Sequence, residues 1–230
     1  MFSYGIFFYS CRRCLCMDLH GPGICTWYAI PLFGIFVAFS LIVHCGVEGI
    51  ETVDGAWRDV MASIASAPLT DVMNLISLIG STAFVYSVSL ILFVHMWKSR
   101  MKESIVSFFS MLVTASLAVN AMKYAFRIPR PPDGLLHVSG YSYPSGHVVL
   151  TTVFYFGLAY ALYKWGRISK VTSFLFATFV SLAMGLSRTY LSVHYLSDVI
   201  GGYLLALGVV AVFFSWLSRS FSRRDTPNTR

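Results

Sequence analysis

The sequence predicts an all-α integral membrane protein built as a six-helix bundle. Apolar residues make up 57% of the 230 residues and charged residues only 12%, whereas an ordinary soluble domain carries about a quarter charged residues. The mean hydropathy is +0.69. The apolar runs lack the period-two alternation of a membrane barrel, and a chain in lipid must satisfy its own backbone hydrogen bonds, so the spanning structure is the α-helix.

Six apolar stretches approach the roughly 20 residues that a helix needs to cross a bilayer. In chain order they are Trp27 to Val47, Leu78 to Trp97, Ile105 to Met122, Val148 to Trp165, Val171 to Leu186 and Val199 to Leu217. The fifth stretch is short, so we expect it to extend into its polar flanks. The longest connection, Glu48 to Ser77, is amphipathic in places and too short for a second domain.

We therefore predict one membrane domain over residues 27–217, preceded by an N-terminal segment over residues 1–26 and followed by a basic tail over residues 218–230. All five cysteines lie in the first fifth of the chain. Their spacing lacks the second pair that would complete a zinc site, so free or lipidated thiols are the favoured interpretation.

Basic residues cluster in the segments that follow the second, fourth and sixth stretches. They are Lys98, Arg100 and Lys102; Lys164, Arg167 and Lys170; and Arg219, Arg223, Arg224 and Arg230. The positive-inside rule places such segments in the cytoplasm, so both termini are predicted to be cytoplasmic. The net charge of +7 then reflects membrane topology and predicts no nucleic-acid partner.

Three short clusters of polar residues interrupt the apolar pattern. The first cluster is Lys123 with Arg130 and Pro131, the second is residues 144–147 (Pro-Ser-Gly-His), and the third is Ser187-Arg188 with His194 and Asp198. A loop joins the first cluster to the second, and two crossings separate the second from the third. All three are therefore expected on one membrane face, and the charge distribution makes this the extracytoplasmic face.

The clusters contain three cations, Lys123, Arg130 and Arg188. A charge at the centre of a membrane helix costs about 2.5 to 3.5 kcal/mol on insertion scales, and a bound anion would offset that cost. Arginine presents a planar fork that matches two phosphate oxygens, while lysine acts as a point charge. Each cation alone could be an ordinary interfacial charge, but together they predict a phosphate site.

Ser145, Gly146 and His147 immediately precede the fourth apolar stretch. Their backbone N–H groups are the unsatisfied first donors of a helix and can bind an anion, and glycine at position 146 lets an oxygen approach closely. A simple turn with Ser145 as helix cap is the alternative, and it leaves His147 without a role.

His194 and Asp198 are four residues apart. If the last helix begins near Tyr195, they share one face and the carboxylate can accept the imidazole N–H. A histidine held in this way can be a general base, a metal ligand or a covalent nucleophile.

Two other enzyme classes compete with phosphate chemistry. A zinc site could use the histidines and Asp198 with Asp133 or His137 added, but the neighbouring cations would repel a metal ion. A serine hydrolase could use Ser145, but the sequence has no G-x-S-x-G elbow and acyl transfer needs no cations. We predict neither a metal nor another cofactor.

The three clusters resemble the type 2 phosphatidic acid phosphatase superfamily of membrane lipid phosphatases. The chain has Lys123, six residues and Arg130-Pro131; then Pro144-Ser145-Gly146-His147; then Ser187-Arg188, five residues, His194, three residues and Asp198. These residues and spacings match the family pattern. The resemblance covers about Leu78 to Leu217.

The resemblance implies a metal-independent phosphohistidine mechanism. His194 would attack phosphorus, Asp198 would orient it, and His147 would protonate the leaving oxygen and then activate water. The remaining site residues would hold the phosphoryl oxygens: Lys123, Arg130, Ser145, Gly146 and Arg188. Many members carry a further arginine where this chain has Ile128, which leaves an auxiliary phosphate contact unassigned.

The implied substrate is a lipid phosphate in the bilayer: phosphatidylglycerol phosphate, phosphatidate or undecaprenyl diphosphate. Members devoted to undecaprenyl diphosphate often read Pro-Ser-Asp-His, so Gly146 favours a glycerolipid substrate or a broader specificity. A lipid phosphotransferase and a non-catalytic lipid-phosphate binder or transporter stay open as alternatives. The oligomeric state is not predicted.

Overall fold

The computed structural model describes residues 24–98, 102–136 and 138–222. These residues form eight α-helices and no strand, which confirms the all-α prediction. The helices are α1 Ile24–His44, α2 Glu48–Ser63, α3 Ala67–Ile79, α4 Thr82–Lys98, α5 Lys102–Phe126, α6 Gly146–Lys164, α7 Lys170–Tyr190 and α8 Leu196–Ser222. Most of the predicted N-terminal segment, the end of the basic tail and His137 lie outside the described residues.

The structure supports between four membrane crossings and the predicted six. Within the described residues, α5, α6, α7 and α8 are each long and apolar enough to span a bilayer, and two bent pairs raise the total to at most six. In these pairs α1 and α2 meet at 87°, and α3 and α4 meet at 44°. The part of the chain that the structure describes therefore contains four to six candidate spans.

The connection Glu48 to Ser77 adds helices to the predicted six-helix bundle. It forms α2 and most of α3, because its apolar residues recur at helical spacing although no window is apolar enough to span alone. Met61 and Met73 lie on the buried faces of these two helices. The extra helices pack against the end of the bundle that carries the predicted site.

The last two helices, α7 and α8, are longer than the apolar stretches that predict them. The fifth stretch extends into its polar flanks, as expected, and α7 runs through Arg188 to Tyr190. Ser169 caps its first turn by accepting the Thr172 N–H at 3.1 Å. At the other end of the chain, α8 continues to Ser222, so no structural break separates the predicted tail at residue 218.

The bundle core forms where α5, α6 and α8 meet, and it includes Leu112, Phe154 and Val209. α8 also packs against α1, and α7 packs against α6. Gly80, between α3 and α4, lies close to Thr151 of α6 and Met184 of α7. A Cβ at Gly80 would lie 2.1 Å from Thr151 Oγ1, so only glycine lets α3 and α4 pack here. This approach brings α3 beside α7 near Arg188.

Candidate active site

One end of the bundle gathers the three clusters. The Ser145 backbone N–H donates to the Asp198 carbonyl at 3.1 Å, which joins the second cluster to the third. Arg130 Nη1 donates to the Val193 carbonyl at 2.8 Å, which joins the first cluster to the third. The Cβ position of Gly146 is 3.9 Å from Lys123 Cε, so the first and second clusters also meet.

His194 and Asp198 form a buried pair at the start of α8. His194 Nδ1 is 3.2 Å from Asp198 Oδ2, and the side chains are 2% and 0% exposed. The same Oδ2 accepts the Tyr195 backbone N–H at 2.8 Å. In a capping box, the side chain of the third helical residue accepts the backbone N–H of the residue just before the helix. The bond from Tyr195 to Asp198 is of this kind, and it fixes the carboxylate beneath the imidazole.

Arg130 defines the tautomer of His194. Arg130 Nη1 is 3.2 Å from His194 Nε2, and a guanidinium can only donate hydrogen bonds. Nε2 must therefore accept, which puts the proton of the neutral ring on Nδ1, beside Asp198. The ring thus presents a lone pair on Nε2, the form that a nucleophile or a general base requires.

Burial and charge keep the His194 ring neutral. Burial lowers the pKa of His194 well below its usual value, and the nearby cations Arg130, Arg188 and Lys123 lower it further. Burial also lowers the pKa of Arg130, with a partial offset from Asp198, but a guanidinium stays charged. At neutral pH the contact between His194 and Asp198 is therefore a hydrogen bond between a neutral imidazole and a carboxylate.

Ser142 is a site residue that the sequence reasoning missed. Its hydroxyl donates to Asp198 Oδ2 and lies 3.3 Å from His194 Nδ1. One serine therefore contacts both members of the buried pair. No residue pattern marks this position, and its one sequence signal is its place two residues before Pro144.

Lys123 and Arg130 are tied to backbone carbonyls of the loop around them. Lys123 Nζ donates to the Tyr141 carbonyl at 2.5 Å and to the Ser142 carbonyl at 3.1 Å. Arg130 Nε donates to the Gly140 carbonyl at 3.1 Å. Both side chains are half-buried, so each cation is held in place with a part of its surface open to an anion.

Tyr143 fixes the loop that leads into the second cluster. Its hydroxyl is 2.7 Å from Ser40 Oγ on α1, and burial raises its pKa to about 12. A Cβ at Gly201 of α8 would lie 2.4 Å from this hydroxyl, so glycine is required there. The neutral phenol therefore packs between α1 and α8 and sets the path of Ser142 and Ser145.

Arg188 is almost fully buried, with 2% of its surface exposed. Its Nη1 donates to Ser77 Oγ on α3 at 2.5 Å, and the preceding Ser187 Oγ donates to the Met73 carbonyl at 2.7 Å. Two consecutive residues of the third cluster are therefore held by α3. Ser77 is a second residue that the sequence reasoning missed.

Three buried polar atoms at the site have no hydrogen-bond partner among the described residues: Ser145 Oγ, Arg188 Nε and Asp198 Oδ1. An unpaired buried polar group costs about 1 to 3 kcal/mol. A phosphoryl group would offer acceptor oxygens to Ser145 and Arg188, so the two donors fit an anion site.

Ser145 and Gly146 are not explained by helix capping and packing alone. Ser145 stands at the N-cap of α6, yet its side chain makes no capping bond. A Cβ at Gly146 would meet Val119 Cγ1 at 3.4 Å, an ordinary contact, so packing does not demand glycine. His147 follows in the first turn of α6 and is half-buried.

The described residues contain no group of three or more His, Cys, Asp or Glu side chains arranged to hold a metal ion. Asp133, a candidate ligand in the zinc alternative, instead faces Arg58, with 4.0 Å between its Oδ2 and Nη1 of the arginine. His137, the other candidate, lies outside the described residues.

A family model described as the PAP2 superfamily matches residues 104–222. This segment is more than half of the chain and contains all three clusters. The chain is also similar to phosphatidylglycerophosphatase B of Bacillus subtilis (strain 168). The two are 27% identical over 182 residues, which cover 77% of this chain and 89% of the relative.

Two solved structures share the fold. One is the crystal structure of a transmembrane PAP2 type phosphatidylglycerolphosphate phosphatase from Bacillus subtilis, with a TM-score of 0.75 and 24% identity over 89% of this chain and 100% of that chain. The other is Aquifex aeolicus LpxE, with a TM-score of 0.54 and 18% identity over 67% of this chain and 92% of that chain. Because the family model matches more than half of the chain, the protein belongs to the PAP2 superfamily and is a phosphoric monoester hydrolase of that superfamily.

Proposed function

We propose that the protein is a lipid phosphate phosphatase that forms a phosphohistidine on His194 without a metal ion. The observation that carries this proposal is the orientation of His194. Asp198 lies at Nδ1 and the cation Arg130 lies at Nε2, at 3.2 Å each. A neutral imidazole with its free lone pair directed at a cation is arranged to meet the phosphorus of an anion bound by that cation.

In the first step, His194 Nε2 attacks phosphorus as the bond from phosphorus to the lipid oxygen breaks. The electron pair leaves with that oxygen, and His147 donates a proton to it. The ring keeps its Nδ1 proton and becomes a cation, which the Asp198 carboxylate stabilises. Ser142, bonded to the same carboxylate, helps to hold it in place.

In the second step, water attacks the phosphohistidine. His147 accepts a proton from the water, the bond between nitrogen and phosphorus breaks, and inorganic phosphate leaves. The His194 ring returns to its neutral form. Lys123, Arg130 and Arg188 bind the phosphoryl oxygens with Ser145 and the N–H of Gly146, where they stabilise the charge that develops in the transition state.

The substrate is a phosphate of a membrane lipid. The name of the Bacillus subtilis relative makes phosphatidylglycerol phosphate the first candidate, with phosphatidate and undecaprenyl diphosphate next. Gly146 favours a glycerolipid or a broader specificity. Only twelve residues separate Pro131 from Pro144, which leaves no room for a soluble cap domain over the site, so a lipid can approach from the bilayer with its head group at the helix ends.

The proposed topology has six crossings, with each bent pair counted as one span. Both termini are then cytoplasmic and the three clusters lie on the extracytoplasmic face. The support is the set of basic residues after α4, after α6 and at the end of α8, at the helix ends remote from His194.

The proposal is tested by phosphate release from a panel of lipid phosphates in mixed micelles, with and without an acceptor lipid. We expect the wild-type protein to release phosphate, to retain activity in EDTA and to be inhibited by vanadate. His194→Ala should abolish release, while His95→Ala, at the exposed end of α4, should leave it unchanged. Transfer of the phosphoryl group to the acceptor lipid would instead identify a phosphotransferase, and binding without turnover would identify a non-catalytic binder.

A further inference from the structure

Asp54 of α2 hydrogen-bonds Ser197, the residue that precedes Asp198 of the third cluster. Asp54 Oδ1 accepts the Ser197 backbone N–H at 2.8 Å, and Asp54 Oδ2 accepts the Ser197 hydroxyl at 2.6 Å. Ser197 is the neighbour of Asp198 in the first turn of α8. Asp54 and Ser197 are 143 positions apart in the chain. α2 lies in a segment that the composition identifies only as a connection.

The position of this bond follows from the chemistry of helix ends. The first four N–H groups of a helix have no partner within it. The Tyr195 carbonyl accepts the Val199 N–H, which makes Tyr195 the N-cap and Ser197 the second helical residue. A serine or aspartate at the N-cap would accept an N–H at this second or third position, but the ring of Tyr195 carries no oxygen close enough to its own backbone.

Asp54 therefore supplies from α2 the bond that the Tyr195 side chain does not make. Asp198, the third helical residue, supplies the complementary bond by accepting the Tyr195 N–H at 2.8 Å. Together the two carboxylates satisfy both halves of a capping box. A negative charge is also stabilising at the N-terminus of a helix.

We propose that Asp54 is a positioning residue, a helix cap supplied by α2 that fixes the first turn of α8 and so holds Asp198 against His194. The inference rests on the roles proposed above for His194 and Asp198. Asp54 bonds neither of these two side chains in the structure, and its effect passes through Ser197.

The packing of α2 supports this role. Trp57 and Met61 of α2 join a cluster with Tyr190, Leu191 and Val193, the residues that precede His194. The segment with His194 is therefore held by α2 on both sides, through apolar packing before it and through Asp54 after it. The ion pair of Arg58 with Asp133 is long and largely exposed, so it contributes little.

The alternative is that Asp54 only stabilises the fold. A purely structural contact would change thermal stability and the yield of folded protein, but not the turnover of the molecules that fold. A positioning role would lower kcat per folded molecule and leave phosphate binding intact, because Lys123, Arg130 and Arg188 do not contact Asp54.

The test compares Asp54→Ala and Asp54→Asn with Asp59→Ala, a matched control at an exposed carboxylate on the same helix. Each variant is purified in detergent and quantified as the monodisperse fraction. The measured quantities are kcat and KM for the lipid phosphate that the wild type hydrolyses best, and Ki for inorganic phosphate.

We expect Asp54→Ala to lower kcat roughly 10- to 100-fold, with KM and Ki within about threefold of wild type. Asp54→Asn keeps a carbonyl acceptor for the Ser197 N–H, so it should recover most of kcat. Asp59→Ala should match wild type. Unchanged kcat in Asp54→Ala, with loss of thermal stability alone, would overturn the proposal, as would an equal loss of kcat in Asp59→Ala.

If Asp54→Ala does not fold, Ser197→Ala decides the question, because it removes only the hydroxyl bond to Asp54. A severalfold lower kcat at constant KM supports the positioning role, and an unchanged kcat refutes it. Failure of the proposed function is recognised separately: the wild type would release no phosphate from any lipid, or His194→Ala would retain wild-type turnover.

Discussion

Arg130 covers the Nε2 edge of His194, with 3.2 Å between Nη1 of the arginine and the ring nitrogen. The same Nη1 also donates to the Val193 carbonyl at 2.8 Å. In the proposed reaction a phosphoryl group must reach this nitrogen, so the guanidinium must exchange its contact with the ring for contacts with phosphoryl oxygens. One arginine then both holds the resting ring and binds the substrate.

Replacing Arg130 is expected to impair binding and chemistry together. Arg130→Lys keeps the charge but loses the planar fork, and we expect kcat/KM to fall roughly 100- to 1,000-fold, the usual cost of one transition-state donor. The matched control is Arg127→Lys, because Arg127 is exposed and its Nε bonds the Tyr124 carbonyl of its own turn. Steady-state kinetics of both variants measure the effect, and equal losses would contradict the assignment.

Ser142 is expected to affect turnover more than binding. Ser142→Ala removes the hydroxyl that bonds Asp198 and approaches His194, which leaves the carboxylate with one buried bond fewer. We expect kcat to fall roughly tenfold, equivalent to about 1.4 kcal/mol, with KM nearly constant. Ser63→Ala is the control, since Ser63 Oγ bonds only its own helix at Val60. A change in KM alone would count against this role.

Ser77 is expected to affect phosphate affinity. Ser77→Ala leaves Nη1 of the buried Arg188 without its 2.5 Å partner, at a cost of about 1 to 3 kcal/mol. We expect a higher KM for lipid phosphate and a higher Ki for inorganic phosphate. The control Ser81→Ala lies just beyond α3, where Ser81 Oγ accepts the Phe84 N–H. An unchanged Ki for phosphate in Ser77→Ala would show that Arg188 is held without it.

His194 should make stability depend on pH in one direction. Burial first, and then the nearby cations, lower its pKa in the folded state, while the unfolded value is about 6.5. Below this pH the unfolded chain binds the proton that the folded ring refuses. The contribution of the neutral His194 ring to the free energy of unfolding is therefore fully present above about pH 6.5. It is lost as the pH falls below this value, by at most about 1.4 kcal/mol per pH unit.

The measurement for this prediction is the midpoint of thermal unfolding in detergent between pH 7.5 and 5.5. His194→Asn cannot titrate, so the wild type should lose more thermal stability than this variant as pH falls. Parallel curves for the two proteins would rule out a depressed pKa at His194.

The all-α class, four of the spanning helices and the meeting of the three clusters follow from the sequence. Long apolar runs specify membrane helices directly, and the order of crossings brings polar ends such as Lys123 and His194 to one face. The short fifth stretch is predicted to extend into its polar flanks, and α7 does include Arg188.

The sequence does not reveal that the connection Glu48 to Ser77 forms the helices α2 and α3. It also does not reveal the residues that hold the site residues in place. α2 is amphipathic, so an apolar window misses it, and its packing partners lie far along the chain. Ser142, Ser77 and Asp54 act through bonds to residues 56, 111 and 143 positions away. Serine and aspartate are common polar residues, and no local spacing specifies such distant partners.

A phosphohistidine on His194 can be detected by chemical trapping of the intermediate. The enzyme is mixed with a lipid carrying a radiolabelled phosphate and quenched in alkali, where phosphohistidine survives, and the labelled residue is located by mass spectrometry. We expect label on His194 in the wild type, more label in His147→Ala when the leaving group needs no proton, and none in His194→Ala. Label on another residue, or a fully active wild type that never carries label, would contradict it.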